Sequence, residues 1–96
     1  MDLNEIRSEI DKIDDELVRL FCQRMHVAAQ VADYKKANNL PIFQPARERA
    51  KLQDVAEKAG PEMANYTRVL YSMLFELSRS YQSKRNGECS PLYRNI

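Results

Sequence analysis

The stretch LNEIRSEIDKIDDELVRLFCQRMHVAAQVADY, residues 3–34, decides the fold. Its apolar side chains recur at alternating steps of three and four residues, the a and d spacing of a helix that packs along a seam. Neither Gly nor Pro interrupts the pattern. The spacing predicts one long helix with a single seam, whose members are Leu3, Ile6, Ile10, Ile13, Leu17, Leu20, Arg24, Val27, Val31 and Tyr34.

The length of this helix has a consequence for assembly. Asp2 is placed to cap its start, and Asn38 and Asn39 tolerate a helix end just before Pro41. A helix of this length is a rod of about 54 Å. A compact domain of similar size is only about 30–35 Å across. Because the rod would protrude with its seam exposed, the sequence favours a second chain that covers it.

Two further helices follow. The second is predicted to begin at Pro45 and to stop at Gly60, and the third to run from about Pro61 or Asn65 to about Lys84. The third is apolar on most of its sides, so we expect it to be buried among neighbours. No run of alternating apolar and polar residues predicts a strand. We therefore expect an all-α domain over residues 1–85 and a flexible tail or linker over residues 86–96.

Composition excludes several classes of protein. The 96 residues carry a net charge of +1, with both signs spread along the chain, which argues against a nucleic-acid or membrane partner. No apolar run approaches the roughly 20 residues of a membrane span. The polar N-terminus does not resemble a secretory signal. With one histidine and two distant cysteines, Cys22 and Cys89, we expect reduced thiols, no metal site and a cytoplasmic location.

Polar residues that interrupt the apolar faces are the candidates for function. Arg24 occupies a seam position, where a buried guanidinium needs an anionic partner. A snorkelling or ion-paired core arginine, or one that sets the register of a coiled coil, is an equal alternative. Arg7 and Lys35 flank the same seam, about 42 Å apart along one helix, and solvated flanks are the simpler interpretation for each.

The other two helices also direct polar groups inward. Glu48 continues an apolar row near the start of the second helix, where the helix dipole alone could stabilise it. Ser78 and Gln82 end a mostly apolar row of the third helix, and for these two residues taken alone a fraying helix end is the simpler interpretation. Taken together, these residues predict a polar pocket that suits a small dianion carrying a hydroxyl group. Side chains arranged for acid–base or covalent catalysis are missing from the pattern.

The chain resembles the all-helical chorismate mutases, including the mutase domain of bifunctional chorismate mutase/prephenate dehydratases. The likeness covers residues 3 to about 84, and each motif is weak alone, but their order and spacing fit together. The stretches that carry it are IRSEIDKID at residues 6–14, LFCQR at 20–24, VADYK at 31–35, PIFQPARE at 41–48 and SRSYQ at 78–82.

The resemblance implies an intertwined six-helix homodimer with two equivalent sites. Each site would convert chorismate to prephenate by a Claisen rearrangement, a step of aromatic amino acid biosynthesis that needs neither cofactor nor metal. By this carry-over Arg7 reaches into the partner's site. The residues expected to act within their own chain are Arg24, Lys35, Gln44, Arg47, Glu48, Ser78 and Gln82.

The resemblance also assigns roles. Arg7, Arg24 and Lys35 would clamp the two carboxylates of the substrate in its diaxial form, with Arg47 and Ser78 in support. Lys35 and Gln82 would donate hydrogen bonds to the ether oxygen, while Glu48 would accept one from the ring hydroxyl.

One position departs from the family pattern. Gln44 stands where many relatives have Asp. The change should be mild if that position meets the ring hydroxyl through its backbone, and should weaken substrate affinity if the carboxylate orients Arg47.

Three alternatives remain at this stage. An isochorismate–pyruvate lyase shares the fold and a similar clamp. The chain could also be the mutase portion of a longer, bifunctional polypeptide. A non-enzymatic helical dimerisation module would explain the seam, but it would not explain the inward-facing polar residues.

Overall fold

The computed structural model describes residues 2–87, which form three helices and no strand. Helix α1 spans Leu3–Ala37, α2 spans Pro45–Ala59 and α3 spans Ala64–Arg85. The prediction of an all-α chain with a long, a short and a medium helix is confirmed. None of these helices is both long enough and apolar enough to span a membrane. Cys89 and most of the predicted tail, residues 88–96, lie outside the described residues.

Local signals fix both ends of α1. The Asp2 carboxylate accepts a hydrogen bond from the Glu5 backbone N–H at 2.8 Å, the capping interaction expected from the sequence. At the other end Asn39 adopts a positive φ of 55°. The Leu40 N–H then donates to the Lys35 carbonyl at 2.8 Å, and the Asn39 N–H donates to the Lys36 carbonyl at 3.4 Å. This pair of bonds is a Schellman motif, which turns the chain sharply into the segment that precedes α2.

Helix α1 is unbroken and extends well beyond the rest of the chain. The longest dimension of the molecule is 54 Å, close to the length of α1 itself. The radius of gyration is 16.1 Å, against about 12.5 Å for a compact domain of this size. Every residue from 2 to 23 is exposed, and Leu3, Ile13 and Leu17 are each more than half exposed. The chain therefore leaves most of the seam uncovered.

The core is small and lies where α3 packs against α2 and against the C-terminal half of α1. Its α1 side consists of small residues, which allow α3 to approach closely. An ion pair between Arg85 and Asp33, with Nη2 3.1 Å from both carboxylate oxygens, joins the two helices at the edge. The buried apolar residues are Ala28, Ala29, Ala32, Val55, Ala56 and Phe75.

The expectation that α3 is buried on most sides is wrong for the single chain. Tyr66 and Val69 are both 72% exposed, and Leu70 and Met73 are also exposed. The reason is geometric: α3 has only two neighbouring helices, and both contact the side that carries Phe75, Ser78 and Gln82.

We predict that the positive φ at position 39 restricts which residues can replace Asn39 without loss of stability. Asn39→Val should destabilise the fold by about 1–2 kcal/mol, because a β-branched residue is strained at positive φ. Asn39→Gly is the matched control and should be neutral or stabilising, because glycine adopts this conformation freely. Urea unfolding of the three proteins measures the difference, and equal midpoints for the Val and Gly variants would contradict the assignment.

Candidate active site

A cavity of about 340 Å³ lies where the three helices and the segment before α2 meet. Among the residues singled out from the sequence, the structure brings all but Arg7 to its wall. Five cationic side chains and one carboxylate line it, together with neutral polar and apolar groups. The lining residues are Arg24, Val27, Ala28, Val31, Lys35, Ile42, Gln44, Arg47, Glu48, Lys51, Phe75, Ser78, Arg79 and Gln82.

Arg24 leaves the seam of α1 and turns toward α3. Its Nη1 donates a hydrogen bond to the Ser78 hydroxyl at 2.9 Å. Its guanidinium carbon lies 5.9 Å from the centre of the Tyr71 ring and 5.8 Å from that of Phe75, so cation–π attraction also holds it. Within residues 2–87 it forms no ion pair with a carboxylate, so the alternative of an ion-paired core arginine is wrong for the single chain. The cation is positioned without being neutralised.

Lys35 reaches the cavity from the last turn of α1. Its Nζ donates to the Ile42 carbonyl at 2.8 Å, which ties the segment before α2 to the helix. Burial lowers the pKa of the ammonium group below its ordinary value of 10.5, and the negative charge of Glu48 partly opposes that shift. A lysine that is partly desolvated, and that donates only to a neutral carbonyl, can still attract an anion.

Ser78 and Gln82 line the cavity from α3. Both are buried, and α3 continues to Arg85, so the interpretation as a fraying helix end is wrong. The Gln82 Nε2 donates to the Ala28 carbonyl at 3.2 Å. This bond fixes the amide against α1 and leaves its second N–H for another acceptor.

Glu48 lies in the first turn of α2, and its side chain is 22% exposed. Its carboxylate is bonded through both oxygens to the Arg79 guanidinium of α3. The inward position predicted for Glu48 agrees with its place on the cavity wall, whereas the sequence pattern did not single out Arg79. The spacing of Arg79, four residues after Phe75 and three before Gln82, could have placed it on the same face of α3.

Lys51 is a second cation that the sequence reasoning missed. It lies one turn after Arg47 on α2 and pairs with Asp54 at 3.5 Å. The spacing of four residues from Arg47 is the signal that could have found it. Arg47 itself is exposed and lies at the rim of the cavity.

Gln44 occupies the N-cap position of α2 and makes no capping hydrogen bond through its side chain. It lines the cavity, and within the described residues no hydrogen bond joins it to Arg47. The effect of glutamine at this position therefore stays a prediction.

Arg7 lies apart from the other candidates. It is exposed on the free half of α1, about 26 Å along the helix from Arg24, and does not line the cavity of its own chain. Only a second chain could bring an Arg7 side chain to this cavity.

The electrostatics of the cavity favour a ligand with more than one negative charge. Within residues 2–87, Arg24, Lys35 and Arg47 form no ion pair, and Glu48 is already paired with Arg79. Hydrogen bonds from such cations to carboxylates are stronger than those between neutral groups. No group of three or more His, Cys, Asp or Glu side chains in this part of the chain could hold a metal ion.

Comparison with known families agrees with this arrangement. Residues 6–83 match the family described as chorismate mutase type II, over most of the chain. The chain belongs to this family.

Several curated proteins are similar to this chorismate mutase family member. The T-protein of Haemophilus influenzae is 48% identical over 61 residues, which cover 60% of the chain and 16% of the relative. The bifunctional chorismate mutase/prephenate dehydratase of Aquifex aeolicus is 46% identical over 48 residues, 50% of the chain and 13% of the relative. The chorismate mutase of Methanocaldococcus jannaschii is 40% identical over 47 residues, 49% of the chain and 48% of the relative.

The chain thus spans less than half the length of these curated relatives. No solved structure matches it significantly.

We predict that the lowered pKa of Lys35 appears in the pH dependence of folding. Because burial lowers this pKa, the folded state binds fewer protons than the unfolded state just below pH 10.5, and stability contributed by the group rises with pH through that window. Lys35→Met has no such gain. When the pH is raised from 7 to 10, the urea midpoint of the wild type should therefore increase relative to that of Lys35→Met.

The matched control is Lys36→Met, which removes a lysine from the exposed neighbouring position. A difference between wild type and Lys35→Met that is the same at both pH values would contradict the assignment.

Proposed function

We propose that this chain is a chorismate mutase, which converts chorismate to prephenate in the biosynthesis of phenylalanine and tyrosine. The observation that carries the proposal is the placement of Arg24 and Lys35 beside the buried amide of Gln82. Both are positioned cations that pair with no carboxylate within residues 2–87. Membership of the chorismate mutase type II family supports it. The rearrangement is unimolecular and transfers no proton, so it asks for positioning and electrostatic stabilisation alone.

The first task of the site is to hold a flexible dianion in one shape. Arg24 and Lys35 would bind the two carboxylates with charge-assisted hydrogen bonds, with Arg47 and Ser78 in support. Ser78 already accepts a hydrogen bond from Arg24, so the guanidinium is aimed before substrate arrives. Holding chorismate in its compact diaxial form would bring the two reacting carbons close together and reduce the entropic part of the barrier.

The second task is to stabilise the charge that develops as the C–O bond breaks. Lys35 and the free N–H of Gln82 would donate hydrogen bonds to the ether oxygen. Both donors are fixed beforehand, Lys35 on the Ile42 carbonyl and Gln82 on the Ala28 carbonyl. Because they are already oriented, little reorganisation is needed in the transition state.

Glu48 would accept a hydrogen bond from the ring hydroxyl of chorismate. The carboxylate lies on the part of the cavity wall formed by α2 and is held by Arg79. Gln44, at the adjacent start of α2, would contact the same end of the ring through its backbone.

The active unit in this proposal is a homodimer. The exposed seam carries Ile6, Ile10 and Ile13, and the exposed face of α3 carries Val69 and Leu70. Large apolar side chains exposed in a continuous row are typical of a protein interaction surface. A second copy would bury both surfaces. It would also bring its Arg7 to the cavity as the further carboxylate ligand, which the single chain cannot supply.

We further propose that residues 1–85 are the mutase domain and that a cytoplasmic location suits the substrate. In a longer polypeptide, residues 86–96 would begin a linker to a second activity. The relatives named as bifunctional enzymes, of which the chain spans a small part, support this arrangement.

The decisive assay follows the loss of chorismate absorbance on addition of purified protein, with products separated by chromatography. Prephenate formed with saturation kinetics is the expected result. If chorismate is inert and isochorismate yields pyruvate and salicylate, the site belongs to a lyase. Inertness of both substrates with a folded dimer would overturn the proposal in favour of a helical dimerisation module.

Arg24→Leu separates an enzyme from such a module. Loss of one positioned cation should lower kcat/KM by at least roughly a hundredfold, while removal of a part-buried charge leaves the stability unchanged or higher. Arg24→Lys keeps the charge without the planar guanidinium, and its kcat/KM should lie between those of the wild type and Arg24→Leu. Turnover by Arg24→Leu equal to wild type would contradict the assigned role, and analytical ultracentrifugation would verify that the oligomeric state is unchanged.

Mixing two inactive variants tests the shared site. After subunit exchange, Arg7→Ala with Lys35→Ala should recover activity, since each heterodimer keeps one intact site, or about a quarter of wild-type sites overall. Arg24→Ala with Lys35→Ala is the matched control and should recover none, because both residues act in their own chain. Absence of recovery in the first mixture, once exchange is verified by mass, would rule out the contribution of Arg7.

A further inference from the structure

Arg79 lines the cavity, but neither the sequence motifs nor the proposed chemistry assigns it a role. Its guanidinium bonds both oxygens of Glu48 and lies 4.7 Å from the centre of the Phe43 ring. The side chains of Arg79 and Glu48 are 29% and 22% exposed. The ion pair joins α3 to α2, and the Arg79 guanidinium also contacts Phe43 in the segment before α2. The ring beside the guanidinium restricts how it can turn.

The alternative partner for Glu48 is close at hand. Lys35 lines the same cavity, and the charge of Glu48 already acts on it. Nevertheless Lys35 donates to the Ile42 carbonyl, and its ion pair with Glu48 is not formed. A part-buried carboxylate without a partner is costly, so a Glu48 that lost Arg79 would be drawn to Lys35. That pair would neutralise the lysine and move the carboxylate away from its place on the wall.

We propose that Arg79 is a positioning residue that holds Glu48 at the hydroxyl end of the cavity and thereby keeps it from capturing Lys35. The inference rests on the proposed function, because it assumes that Lys35 and Glu48 contact opposite parts of the substrate. Arg79 acts through Glu48 and does not itself touch the reacting atoms. Phe43 assists by fixing the plane of the guanidinium.

Two other origins of an Arg79 effect have to be separated from this one. Arg79 could bind a substrate carboxylate directly, or it could act only as one more positive charge in a cavity whose other charged groups are Arg24, Lys35, Arg47, Glu48 and Lys51. If Arg79 bound the substrate directly, the effect of replacing it would be the same with or without Glu48. If only its positive charge mattered, replacing Lys51 would have a similar effect.

The first experiment is a double-mutant cycle in kcat/KM for chorismate. Arg79→Gln should lower kcat/KM by roughly ten- to a hundredfold in the wild-type background, because the Glu48 and Lys35 groups are misplaced. In the Glu48→Gln background the same substitution should have little further effect. An equal loss in both backgrounds would overturn the proposal. Arg79→Lys keeps the charge but loses the planar guanidinium that lies against Phe43, so it should recover only part of the loss.

The second experiment does not depend on turnover. The pKa of Lys35 is followed by NMR of its labelled side-chain carbon next to Nζ. In Arg79→Gln it should rise, because Glu48 then pairs with Lys35, and the rise should exceed that in Lys51→Gln, the control for loss of one positive charge from the cavity. The rise should be smaller when Glu48→Gln is also present. A shift no larger than that of Lys51→Gln would overturn the proposal.

The two readouts distinguish the possible failures. If chorismate is not turned over, the proposed function fails, while the Lys35 titration still decides whether Arg79 holds Glu48. If Arg79→Gln does not fold, as judged by circular dichroism, Phe43→Leu removes the stacking partner and leaves the guanidinium in place. Phe43→Leu should also raise the pKa of Lys35, but by less than the rise expected for Arg79→Gln. An unchanged pKa would count against the proposal.

Discussion

The apolar seam of α1 is the constraint on which the rest of the structure depends. It runs along a helix of 35 residues. In the C-terminal half, α3 buries Ala28, Ala29 and Ala32, while the seam residues Val27, Val31 and Tyr34 stay exposed. No Gly or Pro permits the helix to fold back on itself. The single chain therefore leaves the seam exposed, and the proposed partner that would cover it is a second copy of the same chain. Such a partner would also cover the face of α3 that the single chain leaves exposed.

The half of α1 that is covered is where the site forms. Small residues at Ala28, Ala29 and Ala32 let α3 approach, and this close contact places Ser78 and Gln82 against α1. The Schellman turn then returns the chain so that the Ile42 carbonyl meets Lys35. Arg24, Lys35 and Gln82 are thus each fixed by a neutral acceptor, and they keep their capacity to bind an anion. An excess of positive charge is the general property of this cavity, and the proposed dianionic substrate would neutralise it.

Much of this arrangement follows from the sequence, because helices are specified locally. The sequence predicts the helix ends to within a few residues. The signals are the length of the seam, the paired asparagines at 38 and 39, Pro45 and Gly60. The inward position of Arg24 and Glu48 also follows from helical spacing. Helical spacing could have placed Arg79 on the face of α3 that carries Gln82, but it could not predict the pairing of Arg79 with Glu48. That pairing depends on how α3 packs against α2, which is a property of tertiary packing. The burial of α3 was overestimated for a related reason: an apolar helix indicates a neighbour, but it does not indicate whether that neighbour belongs to the same chain.

The most direct test of this account is the mass of the purified protein in solution. Sedimentation equilibrium at several protein concentrations should give twice the chain mass of 11.2 kDa. Ile13→Glu, which places a charge on the uncovered seam, should shift the protein toward the monomer. A wild-type protein that remains a folded monomer of 11.2 kDa at micromolar concentration would contradict the account, because its seam would then be stable in water without a partner.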